Sequence, residues 1–202
     1  MDCKVPVTPK RTIRREDILP ADDYARRRRD YRRRLLELKR QRRIEVGPYV
    51  TFYFENFATV LAQIQEMLHI EKGGEAQLAG EIAAYAPLVP NGRELVATMM
   101  IEIPEEERRR RILAALGGIE KTVSISLGGQ PVPGVPEDDI ERTTAEGKTS
   151  AVHFLHFPFT PDHIAEFRRP GAPVVIGVAH PAYGHLAVLP NTMRATLAED
   201  FD

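Results

Sequence analysis

Ile119–Leu127 reads IEKTVSISL, in which Ile119, Lys121, Val123, Ile125 and Leu127 alternate with Glu120, Thr122, Ser124 and Ser126. Successive side chains of a strand point to opposite faces. This period of two therefore predicts a strand with one face on a core and one in water. Wet faces belong to antiparallel sheets, whereas parallel strands are covered on both sides. Upstream, Glu94–Ile103 (ELVATMMIEI) predicts a largely buried strand, and Pro104 with Glu105, Glu106 and Glu107 starts a helix that ends at Gly117-Gly118. Downstream, an acidic loop rich in Pro and Gly over 128–149 leads to a strand at 150–157 with no helix between. Thr160-Pro161-Asp162 opens a short helix, 173–179 (PVVIGVA) predicts a buried strand and 185–189 an edge strand, and a terminal helix starts near Asn191.

Toward the N-terminus, Tyr49–Phe54 (YVTFYF) predicts another strand, and Asn56 caps a helix whose apolar face is Phe57, Val60, Leu61, Ile64 and Leu68. A second helix over 75–86 carries Leu78, Ile82 and Tyr85. Consecutive strands without helical crossovers predict an α+β fold: a mixed or mainly antiparallel sheet of about six strands, flanked by helices.

Ten of the eighteen residues Arg26–Arg43 are arginine. Pro20, Asp22 and Asp23 suit a helix start, and Lys39, Arg40, Arg42 and Arg43 suit its end. A long arginine-rich helix over 21–43 is expected, with Tyr24, Tyr31, Leu35 and Leu38 as its docking seam. Arg28 and Arg42 fall on that seam and need acidic partners or a route to water. The division expected is a flexible segment 1–20, a basic arm 21–43 and an acidic α+β body 44–202. Residues 1–43 hold 16 Lys+Arg against 7 Asp+Glu, and residues 44–202 hold 12 against 22. A basic helix can follow a phosphate backbone. It can equally clamp an acidic surface, its own or a partner's, and arginines on every side of the helix with a body of charge −10 favour the clamp. Arg28, Arg32, Arg33 and Arg42 are the docking candidates.

No run of the sequence approaches the roughly 18 apolar residues of a membrane span, and MDCKVPVTPKRT lacks the apolar core of a secretory signal. Cys3 is the single cysteine, so no internal disulfide forms, and a cytoplasmic setting is expected. The sequence holds no GxGxxG after a strand, GxxxxGK[ST], GxSxG, HExxH or CxxC.

Glu66-Met67-Leu68-His69 has the Glu-x-x-His spacing of di-iron helices, but in one copy where two are needed. An exposed surface pair is expected instead. His153 and His156, three apart on a strand, point to opposite faces and cannot share an ion. His180 ends a buried strand beside Tyr183, Glu55 joins an aromatic strand to a helix, and Glu102 lies in an apolar strand. Glu55, Glu102, His153, His180 and Tyr183 are the candidate polar pocket; the reading assigns no metal site and no cofactor.

YVTFYFEN (Tyr49–Asn56), QIQEML (Gln63–Leu68), AYAPLVPNGRELVATMMIEI (Ala84–Ile103), LGGIE (Leu116–Glu120), VHFLHF (Val152–Phe157) and HPAY (His180–Tyr183) together resemble a bacterial family of about 200 residues known only as a domain of unknown function. Members of that family are often encoded near rubrerythrin-like di-iron proteins and an iron–sulfur oxidoreductase. The resemblance implies an accessory to a redox, peroxide-defence or iron-handling system, acting by protein contact or self-association as a homo-oligomer. It carries over no catalytic residue. Two alternatives stay open: an enzyme or small-ligand binder with a pocket near Glu102 and His180, and nucleic-acid binding through Arg26–Arg43.

Overall fold

The alternation at IEKTVSISL shows in the burial of the strand it forms: Val123, Ile125 and Leu127 are buried, and Ser124 and Ser126 are half-buried. Ile119–Thr122, the first part of that stretch, is a short 3-10 turn instead. The computed structural model of the protein describes residues 10–137 and 148–202. In chain order the elements are helix α1 (Ala21–Arg40), strands β1 (Arg43–Val46) and β2 (Val50–Phe54), helices α2 (Phe57–Glu71) and α3 (Gly74–Tyr85), strand β3 (Glu94–Ile101), helix α4 (Glu106–Ala115), strands β4 (Val123–Leu127), β5 (Gln130–Pro133), β6 (Val135–Pro136) and β7 (Val152–Pro158), helix α5 (Pro161–Arg168), strands β8 (Val174–His180) and β9 (Tyr183–Val188), and helix α6 (Asn191–Ala198).

The described strands form two antiparallel sheets, ordered β1-β2-β3-β7-β6 and β5-β4-β8-β9, with six helices around them. The fold is α+β, but two sheets replace the one sheet expected. The added strands come from unexpected places. β1 begins inside the arginine run, and β5 and β6 lie in the expected loop 128–149, of which 138–147 fall outside the described residues. Among the described residues no helix is long and apolar enough to cross a membrane.

One core serves both sheets. Phe52, Phe54, Met99 and Phe157 of the first meet Ile125, Leu127, Ile176 and Val178 of the second, with Phe167 of α5 and Leu197 of α6. Each such burial contributes about 1.5–3 kcal/mol. A second cluster lies on the other face of the first sheet, where Val96 and Phe154 pack with Val60, Leu61 and Ile64 of α2 and Leu78 of α3. Ile13 and Ile18 complete it. Residues 10–20, expected to be flexible, are thus anchored by apolar burial. The buried Gln65 fixes them further, accepting the Leu19 N–H at 2.9 Å and donating to the Leu19 carbonyl at 3.1 Å.

The helix expected over 21–43 stops at Arg40 because Arg42 turns inward. Arg42 is 2% exposed. Its Nε donates to the Phe54 carbonyl and one Nη to the Glu55 carbonyl, each at 2.9 Å, and the same Nη pairs with Asp200. Burial pushes the Asp200 carboxyl up, and Arg42 opposes that shift. The Gly47-Pro48 pair that ends the helix pattern is the turn of the β1–β2 hairpin. Gly47 has φ +73°, and an added Cβ would lie 2.5 Å from the His185 ring, so the hairpin sits tightly on β9.

Removing one partner of a buried ion pair strands the other charge and costs about 3–5 kcal/mol. Arg42→Met is expected to lower urea-unfolding stability by about that amount, and Arg42→Met/Asp200→Leu to recover most of it. A loss under about 1 kcal/mol in the single variant contradicts this role.

Candidate functional site

α1 is fastened to α2 by one three-residue cluster. Tyr24 is 1% exposed and donates its hydroxyl to Glu66 Oε1 at 2.5 Å. Arg28 donates to both Glu66 oxygens at 2.9 Å, the bidentate geometry that gives a charged hydrogen bond its direction. The Arg28 guanidinium holds the Glu66 carboxyl down at about 2, with Tyr24 helping and burial opposing. Burial, then Glu66, pushes the Tyr24 phenol up. The His69 ring packs edge-on against Tyr24 at 5.7 Å. Glu66 and His69 are therefore not an exposed pair: α1 covers the face of α2 that carries them.

Beside this cluster Arg28, Arg29, Arg32, Arg33, Leu36 and His69 line an open groove between α1 and α2. Arg26, Arg33 and Arg40 pair within the helix with Asp23, Asp30 and Glu37. Arg27, Arg29, Arg32 and Arg34 are exposed, and no carboxylate among the described residues lies within ion-pair distance of them. Leu36 stands 63% exposed at the end of the groove. Of the four docking candidates, Arg28 is thus spent on Glu66 and Arg42 on Asp200, while Arg32 and Arg33 face solvent.

The five candidate pocket residues do not converge. Glu102 is exposed, one residue past the end of β3, where the Tyr53 hydroxyl donates to it at 3.3 Å and Arg43 lies 3.9 Å away. His153 is fully buried on the core side of β7; its Nε2 lies 3.0 Å from the Thr149 hydroxyl and the Ser150 carbonyl, and its Nδ1 3.9 Å from Glu120. His180 accepts the Ala182 N–H in a turn and approaches the Gly117 carbonyl at 3.3 Å. The buried Tyr183 hydroxyl accepts the N–H groups of Tyr49 and Val50 at 3.0 and 3.1 Å and donates to the Val46 carbonyl at 2.7 Å. It pins the β1–β2 turn to the second sheet, and burial pushes its phenol up. Glu55 alone lines a cleft, of about 450 Å³, on the outer face of the first sheet. Its oxygens accept the hydroxyls of Thr98 at 2.6 Å and Thr59 at 2.5 Å.

His156, read from the sequence as facing away from His153, stood outside the candidate pocket. His156 Nδ1 lies 3.0 Å from Glu94 and Nε2 3.5 Å from Glu137, with the ring half-buried. Glu94, then Glu137, raises its pKa against the opposing effect of burial. The signal was present in Val152, Phe154 and His156, which share one strand face with Val96 and Glu94 of the neighbouring β3. Among the described residues no three His, Cys, Asp or Glu side chains gather as metal ligands.

The model of a family described as a protein of unknown function, DUF3501, matches residues 12–201. The chain belongs to the DUF3501 family. It is similar to a crystal structure from Burkholderia pseudomallei, described as a novel protein of unknown function, at 39% identity and a TM-score of 0.87, covering 95% of this chain and 100% of that one. No curated protein matches it.

Two pH dependences follow for this DUF3501 protein. The folded Glu66 value lies below its ordinary 4.5, so the contribution of Glu66 is complete above about 4.5 and is lost as pH falls toward about 2. Thermal midpoints should fall more steeply over that window in wild type than in Glu66→Gln. His156 has the opposite sign: its raised value gives a contribution complete below 6.5 and lost as pH rises through the folded value. His156→Gln should flatten the stability profile above pH 6.5, and an unchanged profile contradicts the pairing with Glu94.

Proposed function

We propose that the protein is an accessory that acts by protein–protein contact, offering the α1–α2 groove to an acidic segment of a partner. The observation that carries this reading is Arg29 and Arg32, which line the groove beside the exposed Leu36 with no carboxylate within ion-pair distance among the described residues, on a helix already held to its own body by Arg28 and Tyr24. Fixing the helix in advance lowers the ordering cost of association. An apolar side chain among arginines suits an acidic peptide with an apolar anchor better than a sugar–phosphate backbone, because arginine and buried apolar groups carry most interface energy. In this reading residues 21–43 serve as the arm of the 44–202 body. Family resemblance supports a redox, peroxide-defence or iron-handling setting. With Cys3 as its single cysteine, this chain brings no iron–sulfur ligand cluster of its own, so in this reading an iron–sulfur centre would be the partner's.

The test uses the full chain and two labelled probes of equal charge, a peptide with Glu and Leu at helical spacing and a DNA duplex. The peptide should bind at physiological salt, and Arg29→Glu/Arg32→Glu should weaken it by at least about 10-fold. Tighter binding of the duplex, with a steep salt dependence, would replace this reading with a nucleic-acid one.

A further inference from the structure

We propose that the cleft at Glu55 binds a small zwitterion with an apolar body, of the α-amino-acid class. The site is separate from the α1–α2 groove and does not depend on partner docking.

Glu55 is held from four directions. Its N–H donates to the Val96 carbonyl at 2.7 Å, and its carbonyl accepts the buried Arg42 guanidinium. Its two carboxylate oxygens take the Thr98 and Thr59 hydroxyls, and Asn56 orients Thr59 by donating its N–H to that hydroxyl at 2.9 Å. These contacts fix the carboxylate without neutralising it. An ionised carboxylate offers about four acceptor positions, and the two threonines occupy two. No cation among the described residues lies within ion-pair distance, since Arg42 reaches the Glu55 carbonyl and pairs with Asp200 instead. A half-buried, rigid negative charge without a cation is a site for a ligand's ammonium group.

Lys39, in the last turn of α1, lines the same cleft, and its ammonium has no carboxylate within ion-pair distance among the described residues. The cleft thus carries a fixed carboxylate and a lysine of opposite charge, neither with an ion-pair partner among the described residues. Val60 and Leu88 form one side of the space, and Met100, Val152 and Phe154 the other. At about 450 Å³ it lies in the roughly 300–1,000 Å³ range of small-molecule sites, which are mostly apolar with a few placed polar groups. An ammonium for Glu55, a carboxylate for Lys39 and an apolar side chain against the Val60, Leu88 and Phe154 walls match all three features.

Isothermal titration of the full chain with L-phenylalanine, phenethylamine and 3-phenylpropanoate separates the contributions. Phenylalanine is expected to bind tightest, and each single-charge analogue about 10-fold or more weaker. Glu55→Gln should weaken phenylalanine and phenethylamine by a similar factor and leave 3-phenylpropanoate unchanged. Lys39→Gln should weaken phenylalanine and 3-phenylpropanoate and leave phenethylamine unchanged. Should circular dichroism show Glu55→Gln to be unfolded, Lys39→Gln decides alone: phenylalanine loses its advantage over phenethylamine if the assignment holds. No saturable heat with any probe up to about 10 mM, equal affinity for all three, or an unchanged preference in Lys39→Gln overturns it. Peptide binding at the α1–α2 groove is expected to survive both substitutions.

Discussion

The buried guanidinium of Arg42 is the contact on which the arrangement depends. It lies where α1 gives way to β1, and it reaches the end of β2 through two carbonyls and the residues after α6 through Asp200. A guanidinium suits this position because its planar fork donates in several fixed directions at once. One side chain therefore sets where the basic helix leaves the body, closes the C-terminal end of the chain onto the first sheet, and holds the backbone of Glu55.

The arginine run divides into different physical roles along its length. Arg28 and Arg42 give up solvent for a bidentate carboxylate and a buried hub. Arg26, Arg33 and Arg40 spend their charge on neighbours one turn away, where exposed pairs contribute little to stability. Arg27, Arg29, Arg32 and Arg34 keep theirs. Net charge suggested a uniform basic arm. The fold turns it into a docked helix on which Arg29 and Arg32 line the groove.

What was legible in the sequence followed local periodicity. The Val123–Leu127 alternation, the Asn56 cap and the apolar face of α2 are set by neighbours in the chain, and each appears in place. Partition into two sheets was not legible, because which strands pair depends on contacts far apart in sequence. β1 was hidden because Arg42 and Arg43 also suit a helix C-terminus, and only Asp200, 158 residues away, shows that Arg42 is buried. Pocket residues fared according to their hydrogen bonds. Tyr183 and His180 lie three residues apart in sequence, yet their polar atoms are taken by backbone groups. Glu102 reads as part of an apolar strand, but β3 ends one residue before it. Glu55 faces a cleft because the strand ends there and the helix cap turns the chain, a break visible in Phe54-Glu55-Asn56.

The central claim is that the arginine-rich helix is a fixed part of the surface, not a free arm. Native-state hydrogen exchange of the full chain at neutral pH tests this most directly. Amides of Tyr24–Arg40 should be protected to nearly the same degree as those of α2, with protection lost selectively in Arg28→Ala. Exchange of the α1 amides at the rate of an isolated, marginal helix, with α2 still protected, would contradict it.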